Sequence, residues 1–153
     1  FGLTEENFLK QYPELEPSVE RIKQNAELIF HGQVPHSKVV ECLNTSDFTM
    51  LIRNHSRKND AGFPTKFIES INFGVPVITT EFSDVMEYVK QYNLGVCVEN
   101  PNDVSAELLQ AIKMTKKEYQ IFQESCNRCC VFDYQNNIDE LGRFVDQICE
   151  VAK

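Results

Sequence analysis

AGFPTKFIESINFGVPVITT, residues 61–80, carries the strongest structural signal in this chain. A Gly-Phe-Pro turn leads into a helix predicted over residues 65–73. Gly74 ends that helix, and Pro76 introduces a β-branched run that predicts a buried strand over residues 75–80. A loop that enters a helix N-terminus at the carboxyl edge of a parallel sheet is where α/β proteins hold phosphate. The stretch therefore predicts both a fold class and the place of a site.

Short apolar segments alternate with amphipathic ones along the rest of the chain. We predict strands over residues 26–32, 46–52, 75–80 and 94–98, with helices between them. This alternation is typical of a parallel sheet covered by helices on both faces. We predict an α/β, Rossmann-like doubly wound fold, in one domain over residues 1–153. Only Phe1 and Gly2 remain where a first strand is expected, so we expect a fragment that lacks its first strand or strands.

Capping residues and apolar spacing set the predicted helix ends. Thr4 is predicted to start the first helix, and Asn102 or Asp103 to cap a helix over residues 106–114. Thr115 and Glu118 have the spacing of a capping box, which predicts a helix to about residue 128. The last helix is predicted over residues 135–152. Residues 53–61 are predicted as a polar loop, and Phe63, Phe67 and Phe73 as core residues on a helix face.

Composition excludes several classes of function. The chain has 153 residues, of which 42% are hydrophobic, enough for a sizeable core. It has no apolar run of about 20 residues and no signal-peptide pattern at its start, so we expect a cytoplasmic protein. The net charge of −8 argues against nucleic-acid binding. A small anionic ligand remains compatible with it, because Arg53, Arg57, Lys58 and Lys66 form a local group of cations.

The cysteines and histidines do not predict a metal site. Cys126 and Cys129 form a C-x-x-C motif next to Cys130, but no second pair or histidine pair accompanies it. We interpret these residues as reduced thiols and expect no metal. Cys42, Cys97 and Cys149 lie in apolar patterns and are predicted to be in or near the core.

Five segments together resemble a known family: IFHGQV (29–34), TSDFTMLIR (45–53), AGFPTKFIES (61–70), FGVPVITT (73–80) and LGVCVENPND (94–103). They are similar to the C-terminal nucleotide-binding domain of a GT-B-fold, retaining family-4 glycosyltransferase, in particular of bacterial surface-polysaccharide transferases. The resemblance implies a hexosyltransferase with a nucleotide-diphospho-sugar donor and no metal or other cofactor. It also implies a glycan or lipid-linked acceptor, held by an N-terminal domain that this chain lacks.

Two further expectations follow from that resemblance. The fragment alone should bind nucleotide weakly and transfer nothing, because the acceptor site lies on the other domain. The full-length protein could associate peripherally with the cytoplasmic face of a membrane.

The resemblance also implies a set of donor-binding residues, although it assigns no catalytic residue. Glu69 would accept hydrogen bonds from the ribose hydroxyls, as suits an ionised carboxylate facing a cis-diol. The other members would contact diphosphate, sugar or base: Gly62, Phe63, Pro64, Thr65, Lys66, Arg53, Gly32 and Val34. For Lys66 two interpretations stay open, an ion pair with Glu69 three residues later or a diphosphate contact.

One position departs from the family pattern. The first of the two family glutamates, which contacts the transferred sugar, falls on Ala61. Asp60 could replace it only if the loop shifts. This departure leaves open a non-catalytic, glycosyltransferase-like interaction domain. A flavodoxin-like or receiver-type module is a third alternative, but no phosphorylatable aspartate after a first strand supports it.

Overall fold

The computed structural model describes residues 2–25 and 27–151, with side chains up to residue 149. The chain divides into two compact units between Thr45 and Ser46, and each is described by itself.

The first unit is helical in its described part. Its helices are α1 (Glu5–Gln11), α2 (Glu16–Asn25) and α3 (His36–Asn44), with a short 3₁₀ turn at Pro13–Leu15. Thr4 caps α1 as predicted, because its hydroxyl accepts a hydrogen bond from the amide of Asn7 at 3.2 Å. The ring of Phe8 packs on Phe30, with centroids 5.3 Å apart.

The prediction of a strand over residues 26–32 is wrong for the described part of that range. Residues 27–32 belong to no helix or strand, and residue 26 lies outside the description. The Gly2 amide donates to the Gly32 carbonyl and the Gly32 amide donates to the Leu3 carbonyl. These bonds do not extend into a ladder, because Gly32 takes a left-handed φ of 61° that ends the extended run. Phe1 also lies outside the description.

The second unit contains a parallel three-stranded sheet in the order β1-β2-β3. The strands are β1 (Thr49–Leu51), β2 (Val77–Thr80) and β3 (Gly95–Val98). Val77 is the register partner of both Thr49 and Gly95. Each strand lies within a predicted one and is shorter. The helices are α4 (Arg57–Asp60), α5 (Thr65–Asn72), α6 (Val85–Tyr92), α7 (Ser105–Lys113), α8 (Lys116–Arg128) and α9 (Ile138–Val151).

Apolar residues cover both faces of this sheet. On one face Val77 packs in a buried cluster with Phe67 of α5 and Val89 of α6. On the other face Ile78 belongs to a second cluster that includes Leu108 of α7 and Phe122 of α8. Neighbouring residues of β2 thus point to opposite faces, as the two-residue period of a strand requires. The α/β, Rossmann-like fold class is confirmed.

Two glycines in this unit have a positive φ, one at a helix end and one where two strands lie close together. Gly74 has a φ of 70° and follows α5, as predicted for a helix-ending glycine. Gly95 has a φ of 150°, and a Cβ atom there would overlap the backbone carbonyl oxygen of Val77. Gly95 therefore lets β3 approach β2 closely.

Several local predictions need correction. The predicted polar loop over residues 53–61 contains the short helix α4, because the Ser56 hydroxyl accepts from the Asn59 amide at 3.1 Å and caps it. The cap position of α7 is Val104, although Asp103 accepts from the Ser105 amide at 3.1 Å. The predicted last helix begins with a 3₁₀ turn, so that α9 starts at Ile138 and the predicted end at residue 152 lies outside the description.

Two residues predicted in the core are exposed instead. Phe73 lies just after the last residue of α5, outside the buried face of that helix. Its side chain is 38% exposed. Cys149 is exposed on α9, whereas Cys42 and Cys97 are partly buried. The Thr115–Glu118 capping box of α8 is confirmed.

Candidate functional site

The carboxyl ends of β1 and β2 form one edge of the sheet. Residues 52–64 leave β1 at this edge and lead to α5, and residues 81–84 leave β2 and lead to α6. Because the strands are parallel neighbours, both connections start side by side. This is the edge at which open α/β sheets bind ligands.

Arg53 is fixed to the end of the neighbouring strand. The buried hydroxyl of Thr80 accepts a hydrogen bond from the Arg53 amide at 2.8 Å and donates one to the Arg53 carbonyl at 2.7 Å. The guanidinium carbon of Arg53 lies 5.2 Å from the ring centroid of Phe82, which is fully buried. Arg53 therefore lies at the carboxyl edge, as predicted. Its contacts with Thr80 and Phe82 were not predicted from the sequence.

The GFPT turn forms the entrance to α5. Pro64 takes an extended conformation just before the first helical residue, and its carbonyl accepts from the Phe67 amide at 3.0 Å. Four amides of this turn donate no hydrogen bond to the described residues: those of Gly62, Phe63, Thr65 and Lys66. The amides of Thr65 and Lys66 belong to the first turn of α5, at the positive end of the helix dipole, where unbonded amides suit an anion.

Phe63 anchors this turn instead of offering a stacking surface. Its ring centroid lies 5.6 Å from Phe67, 5.5 Å from Tyr88 and 5.6 Å from Phe132. Phe67 is fully buried, as predicted, and the cluster attaches the turn to α6 and to the segment after α8. The turn is thus held by aromatic packing that leaves its backbone exposed.

Lys66 and Glu69 form an ion pair on α5. Nζ of Lys66 lies 2.7 Å from Oε2 of Glu69, with the lysine side chain 58% exposed and the glutamate side chain 29% exposed. The structure therefore shows the first of the two interpretations of Lys66. The lysine ammonium remains accessible and belongs to the first turn of α5, the same turn as the open amides, so a contact to a bound anion stays compatible with this geometry.

Asp60 links the two connections at the sheet edge. Its Oδ1 accepts from the Ser83 amide at 3.3 Å and lies 3.4 Å from Nδ1 of His55. Ser83 has a φ of 46°, an unusual conformation for a residue with a side chain. Ala61 ends α4 and is exposed. Asp60 thus holds the loop in place, next to Ala61, where the resemblance implies a glutamate.

Three residues of this edge were not found from the sequence: Thr80, Phe82 and Ser83. Their sequence signal is their position at or just after the end of a β-branched strand, because ligands of open α/β sheets bind beyond the carboxyl ends of the strands. Gly32 and Val34 lie in the first unit, so their predicted contacts with the nucleobase stay a prediction.

The C-x-x-C motif belongs to the core. Cys126 is 2% exposed and packs with Leu94 and Phe67 in the first cluster. Burial raises the pKa of its thiol to about 12, so the thiol is neutral at physiological pH. No group of three or more His, Cys, Asp or Glu side chains in the described part of the chain could hold a metal ion.

The fold and this edge define a Rossmann-like domain with an anion-compatible loop–helix site. The sequence model of the family described as glycosyl transferases group 1 matches residues 10–128. The match covers most of the chain, including β1, β2, β3 and the GFPT turn, and the chain belongs to this family. A comparison with curated proteins found no match.

Membership gives the general activity of the protein that carries this domain. It is a glycosyltransferase, with a nucleotide-sugar donor and an acceptor in general terms. Among the helices of the described residues, none has the length and apolar character needed to cross a membrane.

Proposed function

We propose that this chain is the C-terminal, donor-binding domain, over residues 1–153, of a retaining family-4 GT-B glycosyltransferase. The observation that carries the proposal is the arrangement at the start of α5. There a carboxylate, Glu69, paired with the accessible Lys66, lies one turn inside a helix entrance with unbonded amides. The sequence model of a glycosyltransferase family spans this arrangement.

In this proposal each part of a nucleotide-diphospho-sugar has its own partners. The diphosphate lies against the amides of Gly62, Phe63, Thr65 and Lys66, and its charge is balanced by the side chains of Arg53 and Lys66. Glu69 accepts hydrogen bonds from the ribose hydroxyls, for which its second carboxylate oxygen suffices even while Lys66 stays close. For Gly32 and Val34, which belong to the first unit, nucleobase contacts stay what the resemblance implies.

The chemistry of sugar transfer supports these assignments. As the bond to the sugar breaks, negative charge grows on the departing diphosphate, and fixed amides and cations at that point stabilise it. We therefore propose no metal or other cofactor in the reaction.

We further propose a role in polysaccharide biosynthesis for the complete protein. It would act in the cytoplasm or at the inner membrane surface, as a hexosyltransferase with a glycan or lipid-linked acceptor on an N-terminal domain. The domain alone would bind nucleotide weakly and be inactive.

Calorimetric titration of the protein encoded by the complete gene, with UDP, GDP and ADP, tests this proposal. One nucleotide should bind, and Glu69→Gln should weaken it by about tenfold or more, since a hydrogen bond to a charged group is lost. Glu124→Gln is the matched control, because Glu124 also pairs with a cation on its own helix, Arg128 at 3.1 Å, and both side chains are exposed. No heat with any nucleotide would overturn the proposal, and equal effects of the two substitutions would remove Glu69 from the site.

A second candidate function is a glycosyltransferase-like interaction domain without catalysis. Ala61, where the family has a sugar-contacting glutamate, favours it. Turnover separates the two: Glu69→Gln should lower sugar transfer in an enzyme and leave the function of an interaction domain unchanged.

A further inference from the structure

Arg53 is held by a different kind of contact from the ion-paired cations Lys66 and Arg128. Lys66 and Arg128 each lie within 3.1 Å of a glutamate. Within the described residues, Arg53 has no carboxylate partner and contacts the ring of Phe82 instead. In a chain with a net charge of −8, such an arginine at the ligand-binding edge of a sheet is available to an anion.

The contact with Phe82 leaves the hydrogen-bonding capacity of Arg53 intact. A cation–π contact is made by the face of the ring and uses none of the five guanidinium N–H donors. Those donors match the oxygens of a phosphate group in a bidentate arrangement. The ring thus supports the guanidinium without competing with a ligand.

The support itself is rigid. Phe82 is fully buried and packs in the same core cluster as Phe67 and Val85. The Thr80 hydroxyl, also buried, bonds both the amide and the carbonyl of Arg53. Backbone and side chain of Arg53 are therefore each held by a residue at the end of β2, which reduces the freedom that a long side chain loses on binding.

We propose that Thr80 and Phe82 are positioning residues that aim Arg53 at the diphosphate of the donor. The inference rests on the proposed function, because the anion is taken to be the donor's diphosphate. It predicts an effect limited to the phosphate part of the ligand. A residue with a merely structural role would instead change the binding of every part of the ligand together.

The test compares a nucleoside with its diphosphate, uridine with UDP or the equivalent pair for the base that binds, on the protein encoded by the complete gene. Phe82→Leu should weaken the diphosphate about three- to tenfold, the size of a cation–π contact, and leave the nucleoside unchanged. Thr80→Val should act like Phe82→Leu, and Thr80→Ser, which keeps the hydroxyl, like the parent.

A double substitution isolates the action through Arg53. In an Arg53→Gln background, Phe82→Leu should weaken the diphosphate no further. If Phe82→Leu does not fold, Thr80→Val in both backgrounds gives the same comparison. Equal losses for nucleoside and diphosphate, or losses that persist without Arg53, would overturn the positioning role while leaving the proposed function in place. If the parent protein binds neither probe, the proposed function fails, and this inference fails with it.

Discussion

Nζ of Lys66 and Oε2 of Glu69 lie 2.7 Å apart, one helical turn from each other on the exposed side of α5. An exposed pair at this spacing stabilises a helix by only a few tenths of a kcal/mol. The pair therefore contributes little to the stability of the fold, and it lies beside the open amides at which we propose that the donor diphosphate binds.

Lys66→Met should change the free energy of unfolding by less than about 0.5 kcal/mol and still weaken nucleoside diphosphate binding, because a cation near the phosphates is lost. Arg128→Met is the matched control, since it breaks the corresponding pair with Glu124 on α8. Urea unfolding and calorimetry give the two quantities. Equal diphosphate affinity in both variants would exclude Lys66 from phosphate binding.

Gly95→Ala should strongly destabilise the second unit. An added Cβ overlaps the carbonyl oxygen of Val77 in the neighbouring strand, and the φ of 150° strains any side chain. We expect a loss of about 3 kcal/mol or more, or a failure to fold. Gly142→Ala is the control of opposite sign. A Cβ there meets nothing within 4 Å in the middle of α9, so it should stabilise that helix by up to about 1 kcal/mol. Urea unfolding that shows similar midpoints for Gly95→Ala and the parent would contradict the close approach.

The thiols should react in the order of their exposure. At pH 8 a disulfide reagent should modify Cys130 and Cys149 rapidly and Cys126 only on unfolding, because burial removes access and raises the Cys126 pKa to about 12. Cys130→Ser should remove one rapid equivalent. The pKa of Cys126 lies above the ordinary 9.0 because burial favours the neutral thiol. The contribution of this group to the free energy of unfolding is therefore complete below pH 9 and is lost between pH 9 and about 12. Rapid labelling of Cys126 in the folded state would contradict its burial.

The capping box of α8 should weaken in acid. The Thr115 hydroxyl and amide donate to Oε2 of Glu118 at 2.7 and 2.8 Å, and these bonds hold the pKa of Glu118 below its usual value. A lowered carboxyl pKa contributes stability that is present above the ordinary 4.5 and lost as the pH falls through the lowered value.

Glu118→Gln should therefore flatten the acid limb of the stability profile, measured as unfolding midpoints between pH 3 and 7. Glu99→Gln, at an exposed residue outside the helices, serves as the control. An unchanged acid limb in Glu118→Gln would show that the cap does not sense pH.

Features encoded by neighbouring residues were predicted well. The helix at 65–72, its ending at Gly74, the strand at 77–80 and the Thr115–Glu118 box each depend on contacts within a few residues, so pattern and capping rules suffice. The spacing of Lys66 and Glu69 allowed an ion pair as one of two interpretations, and the structure shows that pair. The strand over residues 26–32 was predicted from apolar content alone. An apolar segment becomes a strand only where a neighbouring strand can form hydrogen bonds with it, and composition does not show that neighbour.

The sequence, through local periodicity and turn residues, set the α/β class and placed Glu69 and the GFPT turn at a helix entrance. The connections across the sheet edge required the folded chain. The Thr80 hydroxyl reaches Arg53 across 27 positions and Asp60 reaches Ser83 across 23. Such bonds exist only because β1 and β2 lie in parallel register with Leu51 opposite Thr79. No local pattern encodes which side chains meet there, and so the support of Arg53 by Thr80 and Phe82 became visible only in three dimensions.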